Sequence, residues 1–353
     1  MKIAVLCATI LVAYSPLSAQ KVDLDKYYFN CAGMYNLPND PLPEDFKTFN
    51  VNPKIARTVR LTADDAADRI EINGWRRMAF NEKAHITIDV NFENLIISKT
   101  EITERKEDQK DKAGKIIGTK VFYRAIMQYN MTTSHSVKDY TGKVYKTNTF
   151  NNPNGSHTSD EYSSYAAASS YISINKESLK DKFTNELINK FSNNLSYDLT
   201  NKWGIRPVKG VNDHLWLMDS KKHTEQDSMQ MMAKLMKEKF AEYREGTLVS
   251  EFQEMIAPFI GYLERLPARY KGDEKNDKKL RYSAYYNLAK LYWYMDNPDK
   301  SDKYADLLIK NDYDPGDGED LKKNNTILRN VFQKAKINKR HLLFDTSTFV
   351  EPK

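Results

Sequence analysis

The segment from His85 to Val137 constrains this chain most, because the two-residue period of a half-buried β-strand is strongest there. Ile86, Ile88, Val90 and Phe92 alternate with His85, Thr87, Asp89 and Asn91, so four apolar side chains fall on one face of an extended backbone. Ile117, Thr119, Val121, Tyr123, Ala125, Met127, Tyr129 and Met131 continue the rule through one long strand, with Ile96, Thr100 and Ile102 marking its partner. Asp111 to Gly114 and Asp139 to Gly142 each put Asp at a turn opening and Gly where φ is positive. The expected product is an antiparallel β domain over residues 55–165, built as a meander of long strands. Its polar stretch Asn151 to Tyr162 reads as a loop.

Beyond that domain the period lengthens, which gives the chain an α+β fold class. Leu179, Phe183, Leu187, Phe191 and Leu195 recur every fourth residue, predicting a helix over 177–202 that Gly204 ends. A short strand over 214–218 carries Trp216, so residues 166–220 form a mixed connecting segment. Helices then follow over 221–340. Met229, Met232, Met236, Phe240 and Tyr243 mark one, Leu248 to Leu266 the next, and Leu321 to Ala335 the last. Between them Leu280, Ala284, Tyr285, Leu288, Leu291, Tyr292 and Met295 stack on one helical face. Asn297 supplies an N-cap and Pro298 a first helical residue, and Ser301, Tyr304, Ala305 and Leu308 form the apolar face of the helix that follows.

The order of small and aromatic residues in this pair resembles a tetratricopeptide (TPR) repeat. Tyr285 stands at the bulky first position, Leu288 and Ala289 at the Leu-small pair and Tyr292 at the aromatic one turn later, with small Ser301 and Ala305 after the turn. The second half departs from the pattern, since Ser301 replaces Ala, Ala305 occupies an aromatic position and Pro315 closes the unit late. The resemblance implies a TPR-like helical domain over 221–340 that acts as a scaffold for a protein partner, followed by a tail over 341–353. Two hairpins and a closing helix fall short of the three repeats such arrays usually need, so the helices must lean on the β domain or on a partner.

The N-terminus reads as a segment removed before folding. Lys2, an apolar run from Ile3 to Ala13 and a small-residue exit ending at Ala19 describe a secretory signal peptide over 1–19. The run is too short to span a bilayer, and no later segment is apolar enough to do so. Residues 20–54 hold Pro38, Pro41, Pro43 and Pro53 among Tyr27, Tyr28, Phe29, Phe46 and Phe49. They read as an extended arm that lays its rings on a domain. Cys31 would be the one thiol of the mature chain, so no internal disulfide is expected.

No spacing of chemically active residues stands out. There is no CxxC pair, HExxH helix, Walker loop or GxSxG elbow in the sequence, so no catalytic residue and no cofactor are assigned. The charge of +6 is spread over alternating Lys and acidic residues, which does not make the concentrated basic face of a nucleic-acid binder. Asp312, Asp314 and Asp317 open like a calcium loop, yet Gly316 replaces a liganding position, and Asp317 also reads as an N-cap for the last helix. Met229, Met231, Met232 and Met236 suit either core packing or an adaptable groove. The expected function is an exported protein-interaction scaffold, working in the periplasm, at the cell surface or outside the cell. The alternatives are a secreted hydrolase with dispersed catalytic residues and a binder of glycan or other cell-surface polymer. Sequencing the N-terminus of the native protein should read Gln20 as its first residue; an intact Met1 would overturn the export expectation.

Overall fold

A computed structural model describes residues 21–80, 82–244, 246–343 and 345–352; the signal peptide expected over 1–19 lies outside the described residues. A β-rich N-terminal region is followed by an α-helical C-terminal region. The longer strands are β1 (Leu24–Cys31), β2 (Thr48–Ile55), β3 (Ile86–Phe92), β4 (Ile96–Lys110), β5 (Ile116–Asp139), β6 (Val144–Thr158) and β7 (Val211–Met218). The longer helices are α1 (Tyr165–Trp203), α2 (Gln226–Glu242), α3 (Val249–Arg269), α4 (Lys275–Tyr294), α5 (Pro298–Lys310) and α6 (Pro315–Ala335).

The chain divides into two units that are not consecutive in sequence. One holds residues 21–35, Pro207–Gln333 and Ile337–Leu343, and the other Asn36–Arg206, Lys334–Lys336 and residues 345–352. Residues 20–54 are therefore not a single arm. Leu24–Cys31 belongs to the first unit and Thr48–Ile55 to the second, because Phe29 and Cys31 bury themselves in one core and Phe49 and Val51 in the other. The tail is likewise divided. His341 is fully buried in the first unit, and the Arg76 guanidinium donates to the carbonyls of Ser347 and Phe349 in the second.

The second unit is organised by β5. Its residues Thr133–Asp139 pair with β3, while Ile116–Asn130 pair with β4, and β6 pairs with Ile126–Lys138. A strand has two edges, so β3 and β4 share one edge of β5 in succession and β6 takes the other. Both expected turns are present, with Gly114 at φ 82° and Gly142 at φ 89°. Asp111 Oδ1 accepts from the N–H groups of Ala113 and Lys115, and Asp139 Oδ1 from those of Thr141 and Lys143. The sheet is not wholly antiparallel, since β2 runs parallel to β3. The long connection between them, with a short helix at Ala63–Ala67, makes the crossover a parallel pair requires.

The polar stretch read as a loop from Asn151 to Tyr162 is strand as far as Thr158, because pairing with β5 imposes extended backbone on a sequence with no apolar alternation. Gly155 fits there for lack of a side chain: a Cβ would overlap the Tyr129 ring. Helix α1 starts earlier than its periodicity suggests, capped by the Ser164 hydroxyl accepting from Ala167 N–H. It covers the sheet through Phe183, stacked on Tyr129 at 4.3 Å, and Phe191, edge-on to Phe92 at 5.6 Å. His135 of β5 is 3% exposed between Phe150 and Phe191.

In the first unit β1 and β7 form an antiparallel ribbon, with Leu24 opposite Met218 and Cys31 opposite Val211. Phe29, Cys31, Leu215 and Leu217 point from it into the helical core, where Phe29 meets Phe240 at 4.6 Å and Tyr294 at 5.6 Å. This ribbon is the cover that the helices need. Asn297 Oδ1 accepts from Lys300 N–H to start α5, as its sequence predicts. The last helix begins at Pro315, so Asp317 lies in its first turn and is not its N-cap. Leu288, Ala289, Ser301 and Ala305 are fully buried, and a Cβ on Gly318 would stand 2.9 Å from the Ala305 carbonyl, which fixes how closely α6 crosses α5.

Two measurements test this packing. Ala289→Leu adds volume where none is free and should lower stability in a denaturant melt by about 1–3 kcal/mol; an unchanged midpoint would show an open contact. Burial, reinforced by the Lys146 charge and opposed by Asp198, pulls His135 down to about 4. Between that value and the ordinary 6.5 the unfolded chain binds a proton that the folded chain does not. Stability should therefore hold above pH 6.5 and fall by on the order of 2 kcal/mol as the pH drops to about 4. His135→Phe should flatten that slope in pH-dependent urea melts.

Candidate functional site

The outward face of the β1–β7 ribbon carries a continuous set of rings. The register places Tyr28 opposite His214 and Lys26 opposite Trp216. Alternation puts all four on the strand face opposite Leu215 and Leu217, where Trp216 is half-buried and packs against the edge of the helical core. The Tyr28 and His214 rings lie 5.8 Å apart, and the Lys26 ammonium sits over Trp216 at 5.3 Å, a cation–π distance. Helix α4 adds Tyr286, 6.0 Å from His214, and Tyr282, 6.4 Å from Trp216. Tyr313, in the turn before α6, meets Tyr282 at 5.2 Å. Tyr28 is 54% exposed, whereas Tyr282 and Tyr286 are buried beneath the surface rings.

The face is held rigid by polar groups of α4. Asn287 accepts from the Trp216 N–H at 2.9 Å and donates to the Trp216 carbonyl at 2.8 Å, so one side chain bonds both backbone groups of that residue. Lys290 donates to Asp213 Oδ1 at 2.7 Å and to the His214 carbonyl at 3.0 Å, and Tyr294 donates to Asp213 Oδ2 at 2.9 Å. Burial lowers the Lys290 pKa and the Asp213 charge opposes that shift. Burial also lowers His214, helped by the Lys290 and Lys26 charges, so its imidazole is neutral near pH 7. The buried indole N–H of Trp216 has no acceptor among the described residues.

The residues singled out in the sequence fall in several places. Tyr285, Leu288, Ala289 and Tyr292 lie on α4 and Ser301 and Ala305 on α5, where they pack the hairpin. Tyr292 and Tyr304 stack at 5.5 Å and both donate to Glu264 Oε1. In the acidic turn Asp317 accepts from the Tyr282 hydroxyl and Asp312 stands 3.6 Å from the Lys278 ammonium. Among the described residues no group of three or more His, Cys, Asp or Glu side chains is placed to hold a metal ion. Met229 and Met236 are core, Met231 is exposed, and burial pushes the Cys31 thiol up to about 12. Glu225, another acidic group in the helical unit, accepts from Tyr262 and Tyr270 and pairs with Arg269 at 2.8 Å.

Sequence reasoning missed the ring face because the second unit, Asn36–Arg206, is inserted in sequence between its two strands. The available signal was the spacing of Tyr27, Phe29 and Cys31 against that of Leu215 and Leu217.

No family model matches the chain, and no curated protein matches it. Among solved structures, one similar chain is a minor lipoprotein from Acinetobacter baumannii, 17% identical, covering 42% of this chain and 94% of its own, with a TM-score of 0.16. No helix of the described residues is long and apolar enough to cross a membrane.

Proposed function

We propose that this chain is an exported interaction module in which a TPR-like helical array and the β1–β7 ribbon present the ring face to a protein partner. The observation that supports this reading is the set Lys26, Tyr28, His214 and Trp216, mounted on paired strands and braced from α4 by Asn287 and Lys290. Tyrosine and tryptophan supply large contact area at low conformational cost and dominate the energetics of protein interfaces. Pre-bracing reduces the ordering entropy a partner must overcome. Exposure of Tyr28 beside rings that are already half-buried gives the arrangement of an anchor with its surround.

The same rings could stack on sugars, but their orientations favour protein. Neighbouring planes are inclined by 52° between Tyr28 and His214, 90° between His214 and Trp216, and 54° between Trp216 and Tyr282. A run of sugar rings is best met by a flat platform, and these planes form a corrugated one.

The test is a cross-linking comparison in envelope extract between the native chain and a Tyr28→Ala, Trp216→Ala double variant. A discrete partner should be captured by the native chain and reduced at least tenfold with the variant, which retains its thermal unfolding transition. Equal capture by both would remove this face from the proposal, and retention on a polysaccharide column in place of protein capture would move the function to the glycan class.

A further inference from the structure

The second unit contains a cleft that the interaction reading does not use. It has a volume of about 340 Å³ and lies between α1 and the β5–β6 pair, within the lower range of small-molecule sites. Met131, Phe150, Leu187, Phe191 and Leu195 form its walls, and Lys190 and Asp198 stand at its rim. His135 lines it from β5. That imidazole is 3% exposed, and neither Nδ1 nor Nε2 has a hydrogen-bond partner among the described residues. A buried polar group without a partner costs about 1–3 kcal/mol, so the ring offers an unmet donor and acceptor in a recess whose apolar walls are interrupted by Thr133, Asn194 and Tyr197.

We propose that this cleft binds a small apolar molecule carrying one hydroxyl group, which His135 receives while the walls hold the hydrocarbon body. The choice of class follows from the ring's chemistry. A neutral imidazole offers one N–H donor and one acceptor nitrogen, and a hydroxyl can pair with either. A plain hydrocarbon would fill the walls and leave both nitrogens unmet. A carboxylate would pair with the Lys190 ammonium at the rim and gain no charge from the ring inside, because burial holds His135 neutral near pH 7. The stacked Phe150, with its plane 18° from that of His135 and centroid 5.9 Å away, fixes the imidazole within the wall.

The experiment uses the full mature chain with 2-naphthol as probe and naphthalene as its match lacking the hydroxyl, followed by fluorescence and calorimetric titration at pH 7. Binding of one equivalent of 2-naphthol, about tenfold tighter than naphthalene, is the expected result. His135→Phe should erase that preference while naphthalene still binds. Should that variant fail to fold, ring-¹⁵N resonances of His135 in the native chain decide the matter: they should shift with 2-naphthol and stay in place with naphthalene. No binding of 2-naphthol, equal affinity for the two probes, a preference that survives His135→Phe, or ring resonances that ignore the hydroxyl would each overturn the proposal.

Discussion

The helical unit depends on the pairing of β1 with β7. Each strand alone is eight residues and has no stability of its own; paired, they lay Phe29 and Cys31 beside Leu215 and Leu217 on one surface against Phe240 and Tyr294. The helices are too few to close their own core, and the ribbon provides the missing wall. The long stretch between the strands is a smaller obstacle than it looks, because closure entropy grows only logarithmically, by about 0.6 kcal/mol for each doubling of loop length. That stretch also folds on its own sheet and helix. One pairing thus explains both why the units interleave in sequence and why rings from the two strands share a face.

The first unit partners several of its carboxylates, from buried Glu225 to half-buried Asp213 and exposed Glu264, with tyrosine. Asp213 is held by Tyr294 and Lys290, Glu225 by Tyr262, Tyr270 and Arg269, and Glu264 by Tyr292 and Tyr304. Each phenol fills core volume with its ring and satisfies a carboxylate with its hydroxyl. The buried pair Asp296 and Arg340, 2.7 Å apart, ties the segment after α6 to the end of α4 in the same unit. This use accounts for five of the 22 tyrosines.

How much of this was legible follows from the range of the interactions. Alternation from Ile86 to Phe92, the turns at Gly114 and Gly142, and the Asn297–Pro298 start of α5 are local, and each is found where its residues indicate. Strand β6 past Asn151 was hidden because its conformation is imposed by β5 and not by its own side chains. The division of residues 20–54 was hidden for the same reason, since Phe29 and Phe49 look alike in sequence and only tertiary packing sends them to different cores. Of the ring face, Trp216 was visible as part of a short strand. Its neighbours Tyr28 and Tyr286 could not be assigned without the pairing.

The bracing of β7 by α4 is continued along the strand by α2. The His214 carbonyl is taken by Lys290, both backbone groups of Trp216 by Asn287, the Met218 N–H by the Met229 sulfur at 3.1 Å and the Met218 carbonyl by Gln230. These groups alternate along the edge that faces away from β1, the row a further strand would otherwise occupy. Unpaired edges are templates on which foreign chains add and fibres grow. Here side chains already occupy the rungs, so the ribbon stays two strands wide on that side and the chain carries its own protection against edge-to-edge aggregation.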